Sequence, residues 1–203
     1  MKIGPKYKIA KRLGASVFEK TMSQKFALAQ ERSAKNKKRG RGATEFGKQL
    51  LEKQKVRLTY GLSERQFANY VAESMEASDI SPVEMLHRLL ELRLDNVLYR
   101  IGLAPTRRAA RQMVSHGHVT VNGVKTTIPS RRMRIGDKVA VREGSKGIGI
   151  LAGFAEKFME RPQLPSWLSW NPKAMEGSVL AMPANAGTDP AGDLVAVMSF
   201  YSR

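Results

Sequence analysis

The chain has 203 residues, of which 42% are hydrophobic, and its 35 Lys and Arg outnumber its 18 Asp and Glu to give a formal net charge of +17 at pH 7. A field of that size favours nucleic acid or an anionic surface over a neutral metabolite as the partner. The absence of Cys excludes a disulfide framework and a thiolate metal site, and no apolar run approaches the roughly 18 residues of a membrane span. A soluble cytosolic protein with a polyanionic partner is the first expectation.

The positive charge lies in two blocks. Residues 1–42 carry 13 Lys and Arg against 2 Glu, and residues 93–143 carry 11 against 3 acidic residues, whereas residues 43–92 are slightly acidic. Because the first block has only short apolar interruptions, it can bury little by itself and is predicted to be an irregular basic arm that its partner orders. The alternative for this block is a solvated, disordered tail.

Helical periodicity begins after this arm. The spacing of apolar residues predicts a helix over 44–60, and Ser63 with Gln66 forms a capping box that predicts the start of a second helix. Ser81 with Glu84 forms another capping box, after which apolar residues recur at intervals of three and four as far as residue 101. The sequence therefore predicts one long helix over this last stretch.

The second basic block combines a helix with a hairpin signal. Thr106 caps a helix whose apolar face packs inward, while Arg107, Arg108 and Arg111 are expected to project from the remaining surface. After residue 117 the pattern changes to period two, Asn122-Gly123 is the preferred two-residue hairpin turn, and residues 138–142 read as a third strand. Two helices against a small antiparallel sheet are the expected unit.

The remainder of the chain is less regular. Residues 144–149 read as a glycine-punctuated linker, and a helix is a candidate over 151–159. Trp167, Leu168 and Trp170 are expected to anchor this part of the chain on a neighbouring domain. Residues 194–201 are predicted to form a strand, although their apolar residues do not alternate cleanly, so burial on both sides or at an interface is expected.

Patterns for catalysis or metal binding are sparse. His116 and His118 stand one residue apart, but the only other histidine is His87, whereas zinc sites usually have three or four ligands; a turn with donors for phosphate is the simpler interpretation. Residues 93–95 match the Arg-Leu-Asp motif of pseudouridine synthases, yet they lie in a periodic helix, where Asp95 is more simply a helix-surface partner for Arg93 or for a loop. A non-enzymatic protein without a cofactor, a metal or a small-molecule substrate is predicted.

Several motifs closely resemble the S-four RNA-binding domain: Arg93–Gly102, Thr106–Val114, His116–Gly123 and Ile128–Ser130. That domain occurs in several proteins, but further motifs accompany it here in a fixed order: Gly4–Lys6, Glu52–Arg57, Tyr60–Gly61, Glu64–Phe67, Pro165–Leu168, Met175–Gly177 and Phe200–Arg203. With them the chain is similar, over nearly its whole length, to the bacterial-type family of small-subunit ribosomal protein four. Some relatives bind zinc through N-terminal cysteines, and this chain has none.

The resemblance implies an α+β fold: a mostly helical first domain with an inserted small α/β S-four RNA-binding domain, in which two helices lie on an antiparallel sheet. We expect a basic N-terminal arm over 1–42, a helical domain over 43–92, the inserted domain over 93–159, and a C-terminal return over 160–203 that packs on the first domain.

The same resemblance implies a cytoplasmic structural constituent of the small ribosomal subunit. Such a protein binds 16S rRNA directly, nucleates subunit assembly at the five-prime domain and contributes to translational accuracy at the mRNA entrance, beside small-subunit proteins five and three. The alternatives are a stand-alone S-four-domain RNA regulator and an RNA-modifying enzyme.

The predicted rRNA contacts are basic or hydrogen-bonding residues of both blocks and of the first helical domain: Lys6, Lys8, Lys11, Arg12, Lys53, Lys55, Arg57, Arg65, Arg107, Arg108, Arg111, His116, His118, Asn122, Lys125, Arg131, Arg132 and Arg134. A second set is expected to face mRNA at its entrance or rRNA: Lys35, Lys37, Lys38, Arg39 and Arg41.

Overall fold

The computed structural model describes residues 3–35, 44–147, 164–184 and 191–202. The chain divides into two compact units: Met1–His87 with Asn185–Arg203, and Arg88–Ala184. The helices described are α1 (Lys6–Leu13), α2 (Gln24–Lys35), α3 (Glu45–Thr59), α4 (Glu64–Glu76), α5 (Pro82–Glu91), α6 (Leu94–Ile101), α7 (Arg107–Ser115) and α8 (Leu194–Tyr201). The strands are β1 (Val119–Val121), β2 (Val124–Lys125), β3 (Lys138–Val141), β4 (Leu168–Asn171) and β5 (Glu176–Val179). Among the described residues, no helix combines the length and apolar character needed to span a membrane.

The N-terminal segment is helical, so the prediction of an irregular arm is wrong for residues 6–35. Helices α1 and α2 are joined by two short 3₁₀ turns, and the scattered apolar residues of this segment meet in one small core with a residue of α3: Ala10, Val17, Phe18, Phe26 and Leu58. The spacing of these residues along the sequence does not suggest a core. They are buried in the structure because α3 gives them an apolar surface to pack against. Residues 36–42 of the predicted arm lie outside the described part of the chain.

Helices α3 and α4 confirm the predicted pair, and local capping explains their starts. The Thr44 hydroxyl accepts the N–H of Gly47 at 3.2 Å, and the Ser63 hydroxyl accepts the N–H of Gln66 at 3.3 Å. Each bond satisfies a backbone donor that the first helical turn leaves without a partner. The position of each start is therefore set by residues within one turn of it.

Helix α8 replaces the strand predicted over 194–201. The carboxylate of Asp193 accepts the N–H groups of Val195 and Ala196 at 2.8 and 3.1 Å, which caps the helix. Leu194, Val197 and Met198 are buried, at the three- and four-residue spacing of a helical face. The β-branched valines suggested a strand, but the cap and the packing against α3 favour a helix.

The long helix predicted from residue 81 to 101 is two helices, because the chain becomes extended at Arg93. This residue has φ −66° and ψ 136° and forms an isolated antiparallel bridge with Arg132. The backbone N–H of Leu94 bonds to the carbonyl of Arg131 at 2.9 Å, and the N–H of Met133 bonds to that of Leu92 at 2.8 Å. Long-range backbone hydrogen bonds thus replace helical ones, while the apolar periodicity continues through the break.

The sheet of the second unit is fully antiparallel, with strand order β2-β1-β3-β5-β4. The predicted turn at Asn122-Gly123 is confirmed, with φ of 52° and 81° at its two residues, the left-handed values that this hairpin type requires. The third strand, predicted over 138–142, is also confirmed as β3. Helices α6 and α7 and the sheet share a core that includes Leu98, Val114, Val119 and Val139.

Strands β4 and β5 correct the prediction that all of residues 160–203 return to the first domain. β5 pairs with β3, with Lys138 opposite Ser178, so this hairpin enlarges the predicted three-stranded sheet to five strands. Trp167 and Leu168 are buried in the core of the second unit, which explains why the hairpin stays with it. Only the last part of the return, Asn185–Arg203, belongs to the first unit.

Candidate nucleic-acid interface

A buried carboxylate organises arginines from two helices at the start of the second unit. Asp95, on α6, is 1% exposed. It accepts hydrogen bonds from Arg93 Nε and Nη2 at 3.0 and 2.7 Å, and from Arg111 Nε of α7 at 2.8 Å. Asp95 is therefore a partner of Arg93, as predicted, but it lies in the interior rather than on the helix surface. Asp95, Arg93 and Arg111 thus form one ion-pair cluster.

A second carboxylate, that of Glu91, begins a series of hydrogen bonds that leads to Arg107. Both of its oxygens accept hydrogen bonds from Arg100, at 2.6 and 2.8 Å, and one also accepts from the amide nitrogen of Asn96 at 3.1 Å. The amide oxygen of Asn96 in turn accepts from Arg107 Nε at 2.7 Å. The Arg107 guanidinium carbon lies 4.3 Å from the centre of the Tyr99 ring, a cation–π contact.

The three predicted arginines of α7 consequently differ in environment. Arg108 is exposed, whereas Arg107 and Arg111 are half-buried and bonded to residues of α6. The expectation that all three project into solvent is correct for Arg108 alone. The other two present only part of their guanidinium groups to solvent, in positions that the protein fixes.

The loop before β3 supplies further basic groups beside a carboxylate. Arg132 and Arg134 are exposed, and Arg131 is half-buried with Nη1 donating to the Thr126 hydroxyl at 3.3 Å. Asp137 accepts the backbone N–H of Arg134 at 2.8 Å. Partial burial alone would raise the pKa of Asp137, but that N–H, a bond from Asn122 and the charges of Arg131 and Arg134 together lower it.

Asn122, a predicted RNA contact, has its side chain engaged within the protein. Its amide nitrogen donates to Asp137 Oδ1 at 2.8 Å, and its amide oxygen accepts the backbone N–H of Lys138 at 2.8 Å. These bonds join the hairpin turn to the start of β3. The structure thus gives Asn122 a role in holding the turn.

The His116-Gly117-His118 segment forms the predicted turn after α7. His116 is exposed at the end of the helix, and His118 Nδ1 lies 3.0 Å from the Ser145 hydroxyl. Lys125, exposed on β2, lies across the turn. In the part of the chain that the structure describes, no three His, Cys, Asp or Glu side chains are grouped as metal ligands. The turn therefore presents nitrogen donors beside an exposed ammonium group.

In the first unit, two of the predicted RNA contacts are packed inside the protein. Lys53 is 7% exposed, its ammonium pairs with Glu64, and it lies 4.6 Å from the centre of the Phe200 ring. Arg57 Nε lies 3.3 Å from Glu64 Oε2, and the same guanidinium donates to the carbonyl of Leu62 at 3.2 Å. In the structure, Lys53 joins α3 to α4 and α8, and Arg57 joins α3 to α4.

Glu64 and Tyr201 shift each other's pKa in this cluster. The Tyr201 hydroxyl donates to Glu64 Oε1 at 3.0 Å. Partial burial would raise the pKa of Glu64, but the hydrogen bonds from Lys53 and Tyr201 and the charges of Lys53 and Arg57 lower it below its usual value. Burial, followed by the charge of Glu64 and the bond to it, raises the pKa of Tyr201. The cluster therefore favours ionised Glu64 and neutral Tyr201.

The remaining predicted contacts of the first unit lie nearer to solvent. Lys8, Lys11, Arg12 and Arg65 are exposed. Lys6 is half-buried, 5.5 Å from the centre of the Phe18 ring, and Lys55 pairs with Glu52 at 3.5 Å. Lys35 ends α2, and Lys37, Lys38, Arg39 and Arg41 lie outside the described residues.

Sequence reasoning missed the residues that hold the arginines in place. Glu91, Asn96, Tyr99 and Arg100 were assigned no role, yet they form one connected set of contacts with Arg107. A signal was present in the pair Asp95-Asn96, two polar residues between the apolar Leu94 and Val97 on a helix whose other faces are needed for the core. Polar residues at such positions require internal partners.

Comparison with known proteins is consistent across the chain. Residues 92–139 match the model of the S4 domain, and residues 1–91 match that of the ribosomal protein S4/S9 N-terminal domain. The small ribosomal subunit protein uS4 of Christiangramia forsetii is 42% identical over 89% of this chain and 88% of its own length. The uS4 proteins of Latilactobacillus sakei and Roseiflexus castenholzii are 39% and 40% identical, over 98% or more of both chains in each comparison. This chain belongs to the uS4 family of small ribosomal subunit proteins.

Proposed function

We propose that this chain is a structural, non-enzymatic component of the small ribosomal subunit that binds 16S rRNA through the arginine-rich surface of its second unit. The observation that carries the proposal is the surface of the S4 domain, where exposed Arg108, Arg132 and Arg134 accompany two arginines held in fixed positions by α6. Lys and Arg neutralise RNA phosphates and release counterions, while the rigid framework selects the RNA shape that fits.

The finer assignments follow from family membership. The chain is proposed to join the five-prime domain of 16S rRNA early in subunit assembly and to help nucleate it. It is also proposed to lie beside small-subunit proteins five and three at the mRNA entrance and to influence translational accuracy there. The cytoplasmic ribosome is the corresponding location. The exposed Lys8, Lys11, Arg12 and Arg65 are candidates for additional rRNA contacts in the first unit.

An RNA-modifying activity at Asp95 is not favoured. A catalytic aspartate must reach its substrate, whereas this carboxylate is 1% exposed and is bonded to Arg93 and Arg111. A stand-alone regulatory role has no specific support in the structure. The uS4 relatives are named as proteins of the small ribosomal subunit.

The proposed rRNA surface is tested by replacing Arg108, Arg132 and Arg134 together with Ala. These side chains are exposed, so their removal tests phosphate contacts with little effect on the core. Binding to a five-prime-domain fragment of 16S rRNA is measured across a range of KCl concentrations. We expect weaker binding and a salt slope that is shallower by about one for each lost phosphate contact.

A control with the same change of charge replaces Lys48, Lys138 and Lys173 with Ala. These lysines are exposed and lie outside the proposed contacts. Both triple variants carry three fewer positive charges, so a local contact surface predicts a much larger loss for the arginine variant. Equal losses, or an unchanged salt slope in the arginine variant, would contradict the assignment of this surface.

A further inference from the structure

We propose that Asp95 and Glu91 are positioning residues for RNA binding. Their buried carboxylates fix the guanidinium groups of Arg111 and Arg107, so that these arginines meet RNA phosphates in one preset orientation. The inference rests on the proposed rRNA-binding function of the second unit and adds a role for two acidic residues within it. No contact between either carboxylate and RNA is required.

Two buried acids in a basic RNA-binding surface need a physical reason. Glu91 and Asp95 are each 1% exposed. Burying a carboxylate is unfavourable unless it is well paired, and a negative charge near the surface also opposes the approach of phosphate. The cationic partners would raise the local potential further if both acids were absent. Because the charge of these acids opposes RNA binding, their favourable contribution to binding has to come from the geometry that they impose on the arginines.

Asp95 bonds to a buried arginine, Arg93, and to a partly exposed arginine, Arg111. Arg93 is 2% exposed and bonds to Asp95 through two nitrogens, so that the carboxylate is anchored from the interior. On its outer side, Asp95 Oδ2 receives Arg111 Nε at 2.8 Å and Nη2 at 2.7 Å. Two donors on one planar group set the plane of the guanidinium as well as its position. The Arg111 side chain nevertheless remains 32% exposed.

Glu91 acts on Arg107 through an intervening amide. Its Oε2 accepts from Asn96 Nδ2, which orients that amide so that Oδ1 faces Arg107 Nε. The Tyr99 ring covers one face of the same guanidinium. Arg107 and Arg111 are four residues apart and therefore lie on the same side of α7. Two separate acidic anchors thus hold adjacent arginines on one helical face.

Fixing an arginine before binding reduces the entropy that binding removes. A free arginine has many rotamers, and its immobilisation on a phosphate opposes association. An arginine already held by the protein loses less. This effect and the electrostatic effect of the acid have opposite signs. Removal of the Asp95 charge strengthens RNA binding if electrostatics dominates, and it weakens binding if positioning dominates.

The Asp95→Asn substitution in the full chain decides between these signs. We expect affinity for the five-prime-domain rRNA fragment to fall by about tenfold, since about one to two arginine side chains regain rotational freedom. The salt slope should not become shallower, because no basic residue is removed. Circular dichroism and a thermal unfolding curve establish that the compared proteins are folded. Glu91→Gln tests the Arg107 contact in the same way.

Arg111→Lys provides an independent test that leaves Asp95 intact and carries the decision if Asp95→Asn does not fold. Lysine keeps the charge, but its ammonium cannot reproduce the two-nitrogen planar contact with the carboxylate. The matched comparison is Arg108→Lys, an exposed position on the same helix. We expect about a tenfold loss of affinity for Arg111→Lys, a smaller loss for Arg108→Lys, and the wild-type salt slope in both.

The inference is overturned if folded Asp95→Asn binds the rRNA fragment as tightly as the wild type or more tightly. It is also overturned if Arg111→Lys and Arg108→Lys weaken binding equally. Failure of the underlying function gives a different result: the wild-type chain would then bind the rRNA fragment no better than an unrelated RNA of equal length.

Discussion

At the scale of single residues, many polar side chains of this basic protein form hydrogen bonds and ion pairs within the protein. Lys53 and Arg57 join helices through Glu64, Asn122 fastens a turn, and Asp95 gathers two arginines. Charge alone therefore does not identify a nucleic-acid contact. Exposed arginines are the better candidates, and half-buried arginines that are bonded within the protein contribute through their fixed geometry.

Gly192, which precedes the cap of α8, illustrates a constraint at one residue. Its φ is +135°, and a Cβ at this position would lie 2.8 Å from Glu52 Oε2 and 3.0 Å from Val56 Cγ2. Glu52 cannot move away freely, because its Oε2 accepts the N–H of Asp193 at 2.9 Å. We expect Gly192→Ala to lower the free energy of unfolding by about 2–3 kcal/mol, measured by urea denaturation.

Gly14→Ala is the control for backbone strain without the clash. Gly14 also has a positive φ, +113°, but nothing lies within 4 Å of a Cβ built there. Its substitution should cost only the strain of the backbone, about 1 kcal/mol. If the two variants were equally stable, the close approach of α3 to Gly192 would have no energetic importance.

At the scale of elements, the interface of α3, α4 and α8 depends on the charge of Glu64. The pKa of Glu64 is lowered on folding, so its contribution to stability is complete above the unfolded-state value near 4.5. That contribution is lost as the pH falls through the lower pKa of the folded state. The three helices should therefore become less stable in acid through this one carboxylate.

Glu64→Gln tests that pH dependence. Glutamine is nearly the same size but carries no charge for Lys53 and Arg57, so the variant should be less stable than the wild type at pH 7. The stability difference should shrink as the pH is lowered below about 4.5 in a series of denaturation curves. Glu45→Gln, at an exposed position on α3 that pairs with Lys48, is the matched control. A difference that stayed constant with pH would contradict the linkage.

Elements with local signals could be predicted from sequence, and those that depend on distant partners could not. The starts of α3, α4 and α7 are marked by Thr44, Ser63 and Thr106, whose hydroxyls cap their own helices. The break at Arg93 has no local signal, since the chain leaves the helix in order to bridge with Arg132. Helix α8 was missed because its valines favour strands, and the Asp193 cap together with the packing on α3 reverses that preference.

In the candidate site, too, features with a local sequence signal were predicted, and features that depend on distant residues were not. Basic residues were easy to find from composition, and the hairpin turn followed from Asn122-Gly123. The partners of those basic residues could not be found in that way, because Asp95 and Arg111 are sixteen residues apart and meet only when α6 packs on α7. Geometry of this kind depends on tertiary packing that one sequence does not specify.

At the scale of the whole molecule, each unit has a core made from its own residues. The core of the second unit extends from Leu92 to Val179, and the N-terminal core of the first unit extends from Ala10 to Leu58. The sheet and helices α6 and α7 all belong to the second unit. A unit with its own sheet and its own core has the features expected of a domain that folds alone.

A fragment spanning residues 88–184 is therefore expected to fold by itself. Both tryptophans, Trp167 and Trp170, lie within it, so intrinsic fluorescence reports directly on its packing. Trp167 is buried in the core, which predicts a blue-shifted emission and a cooperative urea transition. Fluorescence typical of water-exposed indole, with no cooperative transition, would show that this unit depends on the rest of the chain.

The position of β4 at one end of the sheet has a consequence for self-association. An outer strand exposes backbone donors and acceptors that can recruit the strand of another molecule and start aggregation. β4 is only four residues long, and Pro165 and Pro172 stand close to its two ends. Because proline has no N–H to donate, a recruited strand would find few consecutive partners. The same short hairpin that completes the core therefore also limits sheet growth from one molecule to the next.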